Sequence, residues 1–374
     1  MKIAFIGQKG YPATYGGVEK VVDRLVSGLS SRGHSCLVYS RQYYSIKYRS
    51  SESIERVVVR GIRSKRLDTI THTFVSILDV CRRDVDVVSL HSFANSIFLL
   101  PLKLAGKKVV VHLHGFEWDA GKWGVLDKMF LRLPLLALRI FPTVITTVSK
   151  HQQEVLRAHH LESLFVPNGI ETPSADDHSF TGPNPYFLFV GRLVPKKGVE
   201  FLLRAFLNLN RKDFDLYIVG ESDNADGYYD RLRDIASSAD NIRFLGGKYG
   251  EDLKSLYRGC FAVVIPSEVE ANPMVLLEAL SYRKCVLASR IPGIQEVGGD
   301  MPSYFEPGSS QDLFDKLSAL VCDPTLALSK AKQVDVDDLV SRYNWERIIA
   351  QYEEIFATLL NVGKPTISET TESV

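Results

Sequence analysis

No stretch of this 374-residue chain approaches the roughly 20 uninterrupted apolar residues that a membrane-spanning helix needs. The longest candidate, from Leu131 to Val144, is broken by Arg132, Pro134, Arg139 and Pro142. Cysteine is scarce: Cys36, Cys81, Cys260, Cys285 and Cys322 are scattered without CxxC spacing, so neither a disulfide framework nor a zinc site is indicated. There is no GxGxxG, and Arg41 rather than an acid follows the second apolar run, so the dinucleotide fingerprint fails. There is no GxxxxGK followed by Ser or Thr, which argues against an ordinary P-loop. No His/Asp ligand cluster is read in the sequence to bring in Mg²⁺ or Mn²⁺, so no metal and no cofactor are expected. The start, MKIAFIG, runs straight into a strand-like segment and lacks the order of a secretion signal, which gives a cytosolic expectation.

What is present suits a globular protein of two α/β domains, with 45% hydrophobic and 24% charged residues. The net charge of +1 conceals an asymmetry. Residues 1–170 hold 24 Lys and Arg against 13 Asp and Glu, a surplus of 11 that the remainder offsets with a deficit of 10. A basic first half suits an anionic membrane surface or lipid-linked phosphate, met by Arg63, Lys65, Arg66, Arg82, Arg83, Lys103, Lys107 and Lys108. A merely solvated surface is the other reading those charges allow. No nucleic-acid partner is expected.

Short apolar runs (IAFI, CLVY, VDVVSL, KKVVVHL, TVITTVS) alternate with segments of helical period such as Val18, Val21, Val22, Leu25, Val26 and Leu29. That alternation predicts a parallel sheet wrapped by helices over residues 1–170. The Pro-, Ser- and Asp-rich segment ETPSADDHSFTGPNP then marks a linker. A second series follows over 171–344, with strands expected at YFLFV, FDLYIVG, NIRFLG, FAVVIP and KCVLAS and a helix from Val199 to Leu209. An amphipathic helix beginning at Trp345 and a polar tail, 362–374, expected to be disordered, complete the chain. The predicted architecture is two Rossmann-like, doubly wound domains facing a cleft, with the chemistry in loops beyond the carboxyl ends of strands.

Four such loops stand out. In GQKGYPATYGGVEK, Gly16 and Gly17 precede a helix, and their bare backbone would let a ligand approach a positive helix terminus; a flexible turn is the plainer reading. In GRLVPKKG, Arg192 and Lys197 flank a short loop before Gly198 and a helix. An Arg fork with a Lys point charge at a helix mouth is a diphosphate site, with a solvated basic loop as its alternative. In PSEVEANPMVLLEALS, Pro273 is expected to open a helix, leaving Glu270 in the preceding loop and Glu278 one turn inside. One carboxylate would face a reacting sugar and the other could accept both hydroxyls of a ribose; surface charge is the plainer reading. In VVVHLHGFEWDAGKWG, His112 reads as a hydrogen-bonded core histidine and His114 as a group at the strand end.

Together these blocks resemble the retaining nucleotide-sugar glycosyltransferases of the GT-B fold, glycosyltransferase family four. The resemblance covers nearly the whole chain. It rests on Gly16-Gly17 with Glu19, His114-Gly115, VSK (148–150), VPNGI (166–170), GRLVPKKG, RFLG (243–246), Glu270 to Glu278 and the closing YNWERI helix. The family implies that Arg192 and Lys197 hold the donor diphosphate, that Glu278 binds the ribose and that Glu270 binds hydroxyls of the transferred sugar. It implies that Arg243, Gly246 and Gly247 run along the base through backbone groups, with Ala271, Asn272, Pro273, Met274 and Val275 also against the donor. Gly16 and Gly17 would lie near the donor phosphates and the acceptor, and His114 near the reacting centre. The helix from Trp345 would cross back onto the first domain and complete it, so that hinge closure assembles the site.

The implied reaction is metal-independent and retains the anomeric configuration. The acceptor hydroxyl attacks from the side the diphosphate leaves, and a donor phosphate oxygen takes its proton. Two departures bear on donor identity: Gly220-Glu221-Ser222-Asp223 stands where many relatives have Gly-x-Gly-Pro, and Glu270-Ala271-Asn272-Pro273 lacks the usual glycines. QKGYPATYGGVE and GFEWDAGKW are also similar to a subgroup containing bacterial rhamnosyltransferases of surface-polysaccharide assembly. That subgroup implies a glycan or lipid-linked sugar acceptor at the inner membrane face. The alternatives are a GT-B nucleotide-sugar epimerase, which needs no acceptor, and a non-catalytic nucleotide-sugar sensor, which Glu270 and His114 disfavour. An NAD(P)H-dependent oxidoreductase is weakened by the missing fingerprint.

Overall fold

A computed structural model describes residues 1–14, 16–44, 51–62, 67–116, 125–141, 143–172, 178–222 and 227–361, with the backbone alone over 125–131. The expectations for Arg63, Lys65, Arg66, Asp223 and the tail 362–374 lie outside the described residues.

The apolar runs form two parallel sheets. The first contains β1 (Lys2–Ile6), β2 (Ser35–Arg41), β3 (Ile54–Val59), β4 (Val87–His91), β5 (Lys108–Leu113), β6 (Val144–Thr147) and β7 (Leu164–Phe165), in the order β3-β2-β1-β4-β5-β6-β7. The second contains β8 (Tyr186–Val190), β9 (Asp215–Val219), β10 (Ile242–Gly246), β11 (Ala262–Ile265), β12 (Cys285–Ser289) and β13 (Ser303–Phe305), ordered β10-β9-β8-β11-β12-β13. Both faces of each sheet are covered, which is why β4, β9 and β12 are buried at every residue instead of alternating buried and exposed. On one face of the first sheet lie the helices Gly17–Ser31 and Trp345–Asn361, sharing a core with Ile3, Phe5 and Val110. The helices Leu67–Val80, Leu99–Leu104 and Val125–Ile140 cover the other. Among the described residues, no helix is long and apolar enough to cross a membrane.

Three strands escaped the sequence reading. Edge strand β3 mixes charge into IERVVV, and β7 and β13 are only two and three residues long, too short to carry a period. In each sheet the chain reverses its direction of winding beside the first strand, between β1 and β4 and between β8 and β11. Such switch points open a crevice beyond the strand ends.

The chain passes between the domains twice, and the two crossings lie side by side. Ile170 and Asn344 form a parallel bridge, with Ile170 N donating to Tyr343 O at 2.8 Å. Beyond it, Trp345, Ile348, Ile349, Tyr352 and Phe356 bury themselves against the first domain, and Arg32 reaches Glu346 (3.0 Å) and Glu353 (2.9 Å). The second domain also caps a helix of the first. The Glu296 carboxylate accepts from Lys150 N (2.6 Å) and His151 N (3.2 Å) at the start of Lys150–Ala158, where orphan amides and the helix dipole favour an anion.

Candidate active site

The loops after β1, β5, β8, β9 and β11 converge on one interdomain cleft with a cavity volume of about 390 Å³. Gly16 caps the helix Gly17–Ser31 at φ +99°, a backbone conformation that residues with a Cβ rarely adopt, and Glu19 Oε2 lies where a Cβ would stand. Glu19 is buried and ties the loop down by accepting from Lys9 N at 2.9 Å. Gln8 Nε2 anchors the loop's start on Phe5 O (3.1 Å) and Tyr39 O (3.0 Å).

From the second domain, Gly191 and Arg192 follow β8, and a single 3-10 turn, Pro195–Lys197, leads into the helix Val199–Leu209. Gly198 joins them in the left-handed region at φ +67°, where a Cβ would meet Pro266 O at 1.9 Å. The Arg192 side chain is exposed and has no ion-pair partner among the described residues. Lys197 Nζ contacts Glu270 Oε1, which also accepts from Ser267 Oγ at 2.7 Å. Glu270 thus sits in the loop, and Pro273 is extended (φ −74°, ψ 110°) just outside the helix Met274–Ser281 instead of opening it. Glu278, within that helix, uses both oxygens: Oε2 accepts from the buried Tyr257 hydroxyl at 2.8 Å and Oε1 pairs with Lys20 Nζ at 3.1 Å. Burial, reinforced by Glu278, pushes the Tyr257 phenol well up, so it is a donor at every working pH.

His114 lines the cleft just beyond β5. Its Nε2 lies 2.9 Å from His91 Nδ1, and the two rings are nearly coplanar, 11° apart. Burial pushes His114 down to about 4 and His91 and His112 well below the ordinary imidazole value, so all three are neutral near pH 7. His112 is a core residue whose Nδ1 bonds Thr146 Oγ1 at 2.7 Å.

Of the residues singled out in the sequence, Gly16, Gly17, His114, Arg192, Lys197, Gly247, Ala271, Asn272, Pro273, Met274, Val275, Glu270 and Glu278 line this cleft. Arg243 and Gly246 do not. β10 is the outermost strand of its sheet, the exposed Arg243 lies over the Tyr217 ring at 5.8 Å, and Gly246 spends its carbonyl on Gly220 N at 2.9 Å. The wall there is made by Gly247, Lys248 and Tyr249. Cleft residues without a site role in the sequence reading include Lys20, Asn168, Lys196, Glu221, Lys248 and Tyr249. Asn168 Nδ2 donates to Asn272 O at 2.9 Å, joining VPNGI to the glutamate loop across the domains. A helical charge and an isolated asparagine carry no sequence signal for such contacts. Among the described residues, no group of three His, Cys, Asp or Glu could hold a metal ion.

Two doubly wound sheets sharing one cleft at their carboxyl ends define the GT-B fold. Solved structures match over nearly the whole chain: a sucrose-phosphate synthase of Thermosynechococcus elongatus with TM-score 0.79 and 18% identity, covering 96% of this chain and 98% of that one. HepE of Anabaena, solved with UDP and glucose, matches with TM-score 0.77 and 19% identity, covering 96% and 100%. At those identities the likeness concerns fold. In sequence, residues 15–173 match Glycosyltransferase Family 4 and residues 172–334 match Glycosyl transferases group 1. Each half of the chain therefore matches a glycosyltransferase family model, and the two matches together span residues 15–334. The lipopolysaccharide 1,2-N-acetylglucosaminetransferase of Salmonella typhimurium is 31% identical over 182 residues, 45% of this chain and 46% of that protein. The D-inositol 3-phosphate glycosyltransferase of Corynebacterium aurimucosum is 28% identical over 187 residues, 47% and 44%. The chain's matches thus span about half the length of these curated relatives.

Proposed function

We propose that this protein transfers a sugar from a nucleoside diphosphate donor to a hydroxyl acceptor, with retention and without a metal. The observation that carries the reading is the exposed Arg192 beside Lys197 at the start of a helix, facing Glu270 and Glu278 in one cleft. Guanidinium, ammonium and helix amides offset the charge that grows on a departing diphosphate, the task a metal performs elsewhere. In the transfer, the acceptor oxygen bonds the anomeric carbon, the bond from that carbon to the diphosphate oxygen breaks, and the acceptor proton passes to a donor phosphate oxygen on the same face. Glu278 would accept from the ribose hydroxyls, with Lys20 displaced or shared, and Glu270 from the sugar. His114, neutral at working pH, would serve as a hydrogen-bond partner of the sugar and not as an acid. Likeness to HepE, solved with UDP and glucose, supports a nucleotide-sugar donor.

The acceptor in this reading is a glycan or lipid-linked sugar presented at an anionic membrane surface, as in bacterial surface-polysaccharide assembly. Among the described residues, 13 of the 17 exposed large hydrophobics fall within the first 170 positions. Nine of them ride on the three helices that cover one face of the first sheet: Leu67, Phe74, Val75 and Leu78, then Leu100 and Leu104, then Leu133, Leu136 and Ile140. At 100° per residue, Arg132 and Arg139 share an arc with Leu133, Leu136 and Ile140, mixing charge into the apolar face as interfacial helices do. Lys103 adds a further cation.

The test is a thermal-shift screen against UDP, GDP, ADP and dTDP sugars, followed by proton NMR of the product's anomeric configuration with and without chelator. A ligand bound only by the folded state raises its apparent stability. Inversion, or a divalent-ion requirement that survives chelation controls, refutes the mechanism; product formed without acceptor indicates an epimerase.

A further inference from the structure

Alternate residues on β4 and β5 build a buried polar chain on one face of the first sheet. His91 is directly opposite His112 in the parallel register, and Ser89 and His114 extend the same face in either direction. The His91 ring has no exposed surface, and it stacks on His112 at 4.7 Å and on Phe5 at 6.1 Å. Both of its nitrogens are engaged: Nε2 with Ser89 Oγ at 3.0 Å and Nδ1 with His114 Nε2 at 2.9 Å.

The order of donors along this chain is fixed by the hydroxyl. Among the described residues, Ser89 Oγ has no other hydrogen-bond partner, and Ser89 is wholly buried. Were His91 to donate from Nε2, the Ser89 proton would be left buried with no acceptor, the expensive alternative. Ser89 therefore donates to His91 Nε2. A neutral imidazole carries one N–H, so His91 donates from Nδ1 to His114 Nε2, and the proton of His114 must sit on Nδ1. That nitrogen has no partner among the described residues, and His114 lines the cleft.

We infer that His91 is a positioning residue for the transfer: with Ser89 it holds the His114 ring and fixes its tautomer, so that Nδ1–H is presented to an oxygen of the donor. The inference rests on the reading of His114 as a group that meets the donor sugar. A donor oriented this way recognises a hydroxyl or phosphate oxygen as an acceptor without bringing charge into the cleft.

Long-range proton–nitrogen NMR of protein labelled with ¹⁵N-histidine reads the tautomer directly, without substrate. Wild type should show His114 as the Nδ1–H form. His91→Phe keeps the stacking but not the hydrogen bonds and should leave His114 without a single tautomer. His91→Asn, whose amide nitrogen falls where Nδ1 was, should restore it. Ser89→Ala, a milder change in case His91→Phe does not fold, should lose the Nδ1–H preference. His114 protonated on Nε2 in wild type, or spectra unchanged by both His91→Phe and Ser89→Ala, would overturn the inference. Turnover is measured separately with the UDP, GDP, ADP or dTDP sugar that stabilises wild type. kcat should fall about tenfold in His91→Phe, as for one lost hydrogen bond, with KM changed far less, and recover in His91→Asn. A displaced tautomer with unchanged kcat would also overturn the positioning role. If wild type turns over none of the four, the transferase reading fails while the tautomer result stands by itself.

Discussion

Removing Arg192 and removing Lys197 should have unequal consequences, because the two cations have different neighbours. Arg192 is exposed and has no ion-pair partner among the described residues, so Arg192→Ala deletes only its contacts with a bound diphosphate. A charge-assisted contact of about 1.5–3 kcal/mol corresponds to about 10- to 150-fold in Kd. Lys197 is in contact with Glu270, whose side chain is only 13% exposed. Lys197→Ala removes its own contact and also leaves that carboxylate, now held by Ser267 alone, facing an anionic ligand. Two like charges about 6 Å apart repel by about 3 kcal/mol at an effective dielectric of 20, before water entering the gap reduces it. Lys197→Ala should therefore weaken binding about tenfold more than Arg192→Ala. The double variant Lys197→Ala/Glu270→Gln should recover most of that excess. Calorimetric titration with UDP, GDP, ADP and dTDP is the assay, since a nucleotide without its sugar excludes any sugar contact of Glu270. A Lys197→Ala variant that binds as well as Arg192→Ala, with no recovery in the double variant, would refute the reasoning.

Gly198→Ala should lower the thermal midpoint by several degrees and impair donor binding, because its left-handed backbone and the 1.9 Å approach to Pro266 O leave no room; an unchanged midpoint contradicts this. Burial holds His114 and His72 down at about 4, against about 6.5 when unfolded, so the unfolded state binds more protons within that window. Stability should therefore fall as pH drops from about 6.5 towards about 4. His72→Leu should make the fall shallower in thermal scans, and an identical slope would show that His72 is not buried neutral. Leu133→Ser/Leu136→Ser/Ile140→Ser should reduce co-sedimentation with phosphatidylglycerol vesicles at least about tenfold. Equal binding of the wild type to phosphatidylcholine vesicles would remove the part assigned to Arg132 and Arg139.

Much of this architecture was written locally. Helix and strand periods are short-range properties, so YFLFV becomes β8 and Val199 to Leu209 becomes a helix with those bounds. Gly16 and Gly198 announce backbone conformations that few other residues adopt, and GRLVPKKG and PSEVEANPMVLLEALS mark loops between recognisable elements. Which of these groups meet was decided only by folding. Lys20 and Glu278 are 258 positions apart in sequence and 3.1 Å apart in space. The same holds for the assignment of Gly247 but not Gly246 to the cleft wall, since Gly246 is consumed by Gly220 across two strands. The protonation of His114 depends on a serine on the neighbouring strand. A period fixes the face on which a side chain lies, but its partner comes from another part of the chain, and the energy of a buried charge or hydrogen bond depends on that partner and on the exclusion of water.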